Sequence, residues 1–397
     1  MLKHYGIVVR YNLMKHMAFI EVPNINGEGN TENAGYGIIV SLCKLNDLDC
    51  VSLIDNYLHV ISNREKYHPV KEWIEDGDEK WDGVDRFKEF CNLIILNDFD
   101  ETLAHMYFRK WLLGCYAALY KEDFRSRIVL VFQGVESSGK TTLMKSLMKS
   151  GESSKWYHEG FSLDPHNKDS VMKGISHWIS ELGELDGIFK RAEMSALKAF
   201  ISSQNDVLRV AYDKREETYQ RRSMFLATVN DPIVLTDQGE GTRFLIVSVS
   251  KILLDKAKLF NAKQFWLQVR TWYDKGEDWW LDDKERELLI ESNKKFKETD
   301  PYQDSIETNY KISELSFEDD LLRHLKVAQI AEELGYKNPT KQVANGLARA
   351  LRRMGFKWKH TMYGDGFLMP KLYTDYEKDS MQVAHVFEGK VHEDRPV

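Results

Sequence analysis

The segment from Val129 to Met148 reads VLVFQGVESSGKTTLMKSLM: an apolar run, a break into glycine and small polar residues, then a helix-like pattern. A turn of this kind leaves several backbone N–H groups without protein partners beside a helix start, and an anion is the natural acceptor for them. Its core, GVESSGKTT, fits G-x-x-x-x-G-K-[ST] with Gly134, Gly139, Lys140 and Thr141 at the fixed positions. Glycines there admit backbone angles that a Cβ forbids. The loop N–H groups wrap a β-phosphate, Lys140 spans the β/γ-phosphates and the Thr141 hydroxyl coordinates Mg²⁺. The strand–loop–helix context therefore points to a nucleoside triphosphate, ATP with Mg²⁺. The binding set is Gly134, Glu136, Ser137, Ser138, Gly139, Lys140, Thr141 and Thr142.

Hydrolysis needs acids beyond the loop. The run GISHWISELGELD reads as a strand bringing Glu181 to its C-terminal end, with Glu184 three residues on. One would hold the Mg²⁺ shell and the other polarise the attacking water, and the E-x-x-E spacing does not say which does which. A solvated acidic turn is the plainer alternative. A further strand, SMFLATVND, is apolar until it releases Asn230, placed either to sense a γ-phosphate or to cap the turn before Pro232. Arg243, in GEGTRFLIVSV, stands between a glycine-rich turn and a strand, where it suits an arginine finger to a neighbouring subunit or an ordinary surface ion pair. Two alternating runs flank Asp213-Lys214-Arg215-Glu216, which reads as a hairpin with two cations at its tip, fit for a phosphate backbone or for plain solvation.

These residues need elements to carry them. Residues 1–65 mix short alternating segments with a Gly/Asn-rich turn region and then helical patterns. HPVKEWIEDG, DGVDRFKEFCNLIIL and DETLAHMYFRKWLLGCYAALYK continue as helices, so a largely helical N-terminal region leads to the first core strand at Ile128. From there strand runs at GISHWIS, VLRVAY, RRSMFLATV and RFLIVSVS alternate with helices, the pattern of an α/β domain around a mainly parallel sheet. The chain has 397 residues, 43% of them hydrophobic and 12% aromatic, which suits two or three globular domains. Its longest uncharged apolar run, Trp111 to Tyr120, is too short to span a bilayer, so no membrane association and a soluble, cytoplasmic location are expected. Cys43, Cys50, Cys91 and Cys115 lack metal-ligand spacing and read as free thiols of a reducing compartment, with no structural zinc.

A net charge of -7 excludes indiscriminate coating of nucleic acid, but the charge is segregated. Thr271 to Asp320 holds seven Lys/Arg against sixteen Asp/Glu, whereas Leu321 to Tyr376 holds ten against four. The organisation expected is a mixed then helical region over 1–125, an ATPase core over 126–265, an acidic helical connector over 266–320, a basic module over 321–376 and a tail over 377–397. Within the basic module LKVAQIAEELGY and TKQVANGLARALRRMGF read as two helices joined by a tight turn. KWKHTMYGDGFLMPKLY reads as a hairpin with a Gly-Asp-Gly tip. That is the layout of a winged helix-turn-helix, used for DNA or for subunit contacts. Lys341, Arg349, Arg352, Arg353, Lys357 and Lys359 are its candidates to meet phosphates.

The order GVESSGKT, WISELGELDG, ALKAF, a hairpin directly before FLATVND, then GEGTRFLIV resembles the virulence-associated protein E family, whose ATPase domain is related to superfamily 3 helicases of the AAA+ class. HPVKEWIE, KWDGVDRF and YDKGEDWWL share in the resemblance, which spans roughly residues 65–310. It implies a ring, usually a hexamer, with ATP at subunit interfaces. Lys140, Thr141, Glu181, Glu184 and Asn230 would act in cis and Arg243 in trans, while Lys214 and Arg215 line the pore and grip one strand of single-stranded or forked DNA. It also implies phage or plasmid replication inside a bacterial cell, with this chain the helicase portion of a larger protein bearing a primase or polymerase domain. The rival readings are a AAA+ DNA-binding ATPase that loads or remodels a partner, and a P-loop kinase, for which no lid segment or acceptor site is evident.

Overall fold

The computed structural model describes residues 1–23, 31–49, 51–183, 191–208, 216–230, 235, 241–296, 301–312, 322–362 and 364–374. The chain forms two compact units, Met1–Lys297 and Glu298–Val397. The first begins with a small sheet of β1 (Val8–Asn12), β2 (Met17–Glu21) and β3 (Lys66–Tyr67), covered by helices Thr31–Leu45 and Ile54–Ser62. Ile7, Val9, Ile20, Ile39, Ile54 and Leu58 close its own core.

The main sheet has six strands in the order β4-β11-β5-β10-β7-β6. These are β4 (Ile94–Leu96), β5 (Val129–Gln133), β6 (Tyr157–Phe161), β7 (Ile179–Leu182), β10 (Met224–Val229) and β11 (Phe244–Ile252). All neighbours run parallel except β4, which pairs antiparallel with β11. Every residue of β5 is buried, as expected of a central strand covered on both faces. Helix Glu101–Tyr120 packs on one face, started by Asp100, whose side chain accepts from the Leu103 N–H at 2.6 Å. Three buried indoles tie the layers together: Trp111 donates to the Phe225 carbonyl at 2.8 Å, Trp178 to Cys115 at 2.9 Å and Trp266 to Leu147 at 2.7 Å. Cys43, Cys91 and Cys115 are buried thiols outside any disulfide, and Cys50 lies outside the described residues.

Several elements differ from the sequence expectation. The first strand of the sheet is Ile94–Leu96, inside a stretch with helical periodicity. Its helix stops at Asn92, and the β-branched pair Ile94-Ile95 finds an edge partner in β11 instead. In GISHWIS only Ile179 and Ser180 are strand, because the helix Lys168–Ile175 runs into its first residues. Arg221 and Arg222 precede β10 rather than belonging to it, and both are buried.

Beside the sheet, β8 (Asn205–Leu208) and β9 (Glu217–Gln220) pair antiparallel and form the base of a hairpin. Arg221 holds that base in place. It grips Asp206 with two bonds of 2.6 and 2.8 Å, donates to the Phe200 carbonyl, and lies 3.9 Å over the Phe200 ring.

In the second unit β12 (Arg323–Leu325), β14 (Gly364–Met369) and β13 (Trp358–Thr361) form an antiparallel sheet, accompanied by helices Pro301–Asn309, Val327–Glu333 and Lys341–Arg353. Ile306, Tyr310, Ile330, Leu347, Leu351 and Phe367 make its core. A Cβ on Gly346 would lie 2.2 Å from the Tyr302 ring, so glycine is what lets this aromatic seat against the helix. The Gly-Asp-Gly run is not the hairpin tip. It opens β14, with Thr361 opposite Gly364 and Lys359 opposite Gly366. A Cβ on Gly366 would meet the Leu325 carbonyl at 2.5 Å, so this glycine serves the approach of β12.

Candidate nucleotide site

The loop after β5 lies outside the carboxyl ends of the parallel strands, where open α/β sheets form their ligand crevice. Gly134 opens it with φ 154°, and a Cβ there would lie 2.0 Å from the Val249 carbonyl oxygen. The loop is fastened on both sides, by Gly134 N–H to the Val229 carbonyl of β10 and Ile252 N–H to the Ser138 carbonyl, each 3.0 Å. Ser137 has φ 61° and Gly139 φ 94°, two further left-handed turns of backbone. Gly139 then serves as the N-cap of helix Lys140–Ser146.

Lys140 is buried, and its ammonium donates to the carbonyls of Gly134 and Val135, both at 2.8 Å, and to the Ser138 hydroxyl at 3.1 Å. Burial lowers the ammonium below its ordinary pKa, while Glu181 and Glu136 pull the other way. Glu136, Ser137 and Thr142 are exposed at the loop and helix start.

Glu181 stands in β7 and is 2% exposed. Three hydroxyls donate to it: Thr141 to Oε1 at 2.8 Å, Thr228 of β10 to Oε1 at 2.7 Å, and Tyr157 of β6 to Oε2 at 2.8 Å. Nothing in the sequence alone points to Tyr157 or Thr228. Their partnership with Glu181 depends on the strand order β10-β7-β6, which no local pattern reveals. The donor set at this point is all oxygen, hydroxyl and carboxylate, which suits a hard divalent cation such as Mg²⁺. The arrangement can hold an oxyanion on loop N–H groups, place a cation beside Thr141 and Glu181, and offer Lys140 to the charge between them.

Asn230, exposed, follows β10 at this same end of the sheet. Glu184, Lys214 and Arg215 lie outside the described residues. Arg243 is at the opposite end: its carbonyl accepts from Val129 N–H at 2.7 Å, at the start of β5. The five-residue strand alone spans roughly 16 Å, so within one chain Arg243 and the loop are not brought together. Its Nε donates to the Ser202 hydroxyl at 2.8 Å. Arg125, Arg127 and Arg286 join Arg243 around a cleft of about 320 Å³ that also includes Trp280, and among the described residues no carboxylate lines it. Arg286 is paired with Asp283. No local pattern in the sequence links these three arginines, scattered as they are over residues 125–286.

In the second unit Lys341, Arg349, Arg352, Arg353, Lys357 and Lys359 are all exposed. Lys341, Arg349 and Arg352 or Arg353 recur at helical spacing along Lys341–Arg353 and share a face.

The fold and this site are those of an α/β protein with a glycine-rich loop at the head of its sheet. Residues 75–298 match the model of the virulence-associated protein E-like domain, and the chain belongs to that family. Among solved structures, the A form apo structure of the NrS-1 C-terminal region is similar at 14% identity and a TM-score of 0.50, covering 94% of this chain and 98% of that one. The apo structure of the NrS-1 C-terminal region (305–718) gives 12% identity, a TM-score of 0.48 and coverage of 94% and 97%. A JCV helicase bound to a small molecule gives 13% identity and a TM-score of 0.29 over 71% of this chain and 85% of that one. No curated protein matches the chain. Among the described residues, no helix is long and apolar enough to cross a membrane.

Proposed function

We propose that the chain is the motor of a superfamily 3 type DNA helicase, driven by ATP with Mg²⁺ and working in phage or plasmid replication as a ring, usually of six subunits. The observation that carries this reading is the bond from Thr141 to the buried Glu181 beside Lys140, at the head of a parallel strand. Membership of the virulence-associated protein E-like family supports it.

In this account the loop N–H groups from Val135 to Thr142 receive the phosphates and the Lys140 ammonium turns from the Gly134 and Val135 carbonyls to the β/γ-phosphates. Thr141 and Glu181 hold the metal side. ATP held there would supply the anhydride whose cleavage drives movement, and Mg²⁺ held beside Thr141 and Glu181 would neutralise the charge that develops. Glu184 and Asn230 orient the attacking water. Arg243, at the far end of the sheet, serves the γ-phosphate bound by the next subunit. The arginine-lined cleft around it gives that contact a suitable field. Lys214 and Arg215 on the hairpin grip one DNA strand through its phosphates. The second unit acts as a winged helix with Lys341, Arg349, Arg352, Arg353, Lys357 and Lys359 toward DNA, and a primase or polymerase domain is the natural partner.

ATP turnover and displacement of a strand from forked DNA test this together. Lys140→Ala is expected to abolish turnover with the fold intact, and wild-type turnover in it would end the nucleotide assignment. Lys214→Ala/Arg215→Ala should keep basal turnover and lose unwinding; unwinding at the wild-type rate would mean that DNA is gripped elsewhere. Robust turnover by the wild type without strand displacement would favour a loading or remodelling ATPase.

A further inference from the structure

Glu181 is held in an unusual way for a side chain with three rotatable bonds. A carboxylate only accepts hydrogen bonds and offers about four lone-pair sites on two oxygens. Three of those sites are taken by hydroxyl protons from three different elements: the helix after the loop, β10 and the edge strand β6. Tyr157 is 3% exposed, and Glu181 is its hydrogen-bond acceptor at 2.8 Å. Burial, reinforced by Glu181, raises its phenol well above the ordinary value, so it keeps the proton it donates.

The consequence reaches Thr141. A hydroxyl has one proton, and in Thr141 that proton points at Oε1 of Glu181. Its lone pairs must then face away from the carboxylate, which is the orientation a cation requires of it. Glu181 therefore sets the Thr141 rotor, and whatever fixes Glu181 fixes the metal ligand one step removed. Resting on the nucleotide-site reading above, we propose that Tyr157 and Thr228 are positioning residues of the metal site: their hydroxyls lock Glu181 so that Thr141 presents its oxygen lone pairs to Mg²⁺. Neither residue touches nucleotide or metal. Each acts through Glu181.

Outer-shell partners of this kind change metal affinity by roughly tenfold or more when removed. Tyr157→Phe deletes one oxygen and keeps the packed ring. Thr228→Val deletes the hydroxyl at constant shape, and Thr228→Ser keeps it. Binding of a fluorescent ATP analogue to the full chain is measured with Mg²⁺ chelated and across a Mg²⁺ titration. Tyr157→Phe and Thr228→Val are expected to raise the half-saturating Mg²⁺ by roughly tenfold and to leave metal-free nucleotide affinity within about twofold of wild type, while Thr228→Ser restores the wild-type titration. A loosened fold would weaken both conditions alike and would not be rescued by serine. The proposal is overturned if Thr228→Val and Thr228→Ser titrate identically, or if metal-free binding falls as far as the Mg²⁺-dependent part. A wild-type chain with no Mg²⁺-dependent nucleotide binding would instead defeat the nucleotide-site reading on which the proposal rests.

Discussion

Replacing Gly134 with alanine sets a Cβ 2.0 Å from the Val249 carbonyl oxygen, a full 1.0 Å inside the 3.0 Å that real Cβ atoms respect. Nothing nearby can yield cheaply, because the obstacle is backbone and Val249 belongs to β11, bonded to β5 through Ser248 opposite Gln133 and to β4 on its other side. The φ of 154° adds strain of its own for an L side chain. Forced repacking costs about 1–3 kcal/mol and a disfavoured backbone about as much again, so the loss should be on the order of 4 kcal/mol. Gly151 provides the control: its φ is 81° but nothing lies within 4 Å of a Cβ there. Gly151→Ala therefore meets only the left-handed penalty, about 1 kcal/mol. Urea denaturation followed by tryptophan fluorescence reads both, since Trp111, Trp178 and Trp266 are buried in the first unit. Equal losses in the two variants would refute the claim that Gly134 is required by close approach rather than by backbone angle alone.

Further outcomes follow from other parts of the chain. His68 is 2% exposed, and neither ring nitrogen has a hydrogen-bond partner among the described residues. Burial, then Arg222, His16 and Lys71, lower its pKa to about 3. Because the folded value lies below the unfolded one near 6.5, the unfolded chain binds the extra proton. Stability is then full above about pH 6.5 and falls as pH drops toward 3, by about 2 kcal/mol at pH 5 for this residue. His68→Phe should flatten the decline in urea midpoint between pH 7 and pH 5, and an unchanged slope would exclude His68 as a contributor. Ending the chain at Lys297 should leave a folded first unit with ATP turnover and a lower affinity for forked DNA, with a shallower salt dependence. Unchanged DNA affinity would favour subunit contacts as the role of the second unit.

What could be read from sequence was local. The glycine and lysine spacing of residues 134–141 announces a strand–loop–helix because its signals lie close together in the chain, and the helix Glu101–Tyr120 is legible from its apolar period. Tertiary pairing escaped the reading. Ile94–Leu96 has a helical pattern behind it and becomes strand only because β11 is beside it. The glycines at 364 and 366 look like a turn until β12 is packed against them. Charge and packing also divide the chain at different places. The sign of the charge changes near residue 320, whereas Ile306 and Tyr310, in the acidic stretch, pack with Leu347 and Phe367. At the site, Thr141 is legible from a motif, but Tyr157 and Thr228 follow only from sheet order, and the four arginines of the basic cleft come from three separate segments.

The central claim is that one chain's loop and a neighbour's Arg243 make a single catalytic site, since the two stand at opposite ends of β5 within one chain. Mixing Arg243→Ala subunits with Lys140→Ala subunits tests it most directly. Each variant alone should be inactive, while mixed rings regain part of the wild-type ATP turnover wherever an intact loop faces an intact arginine. Mixed rings that demonstrably form and yet hydrolyse no ATP would contradict the account.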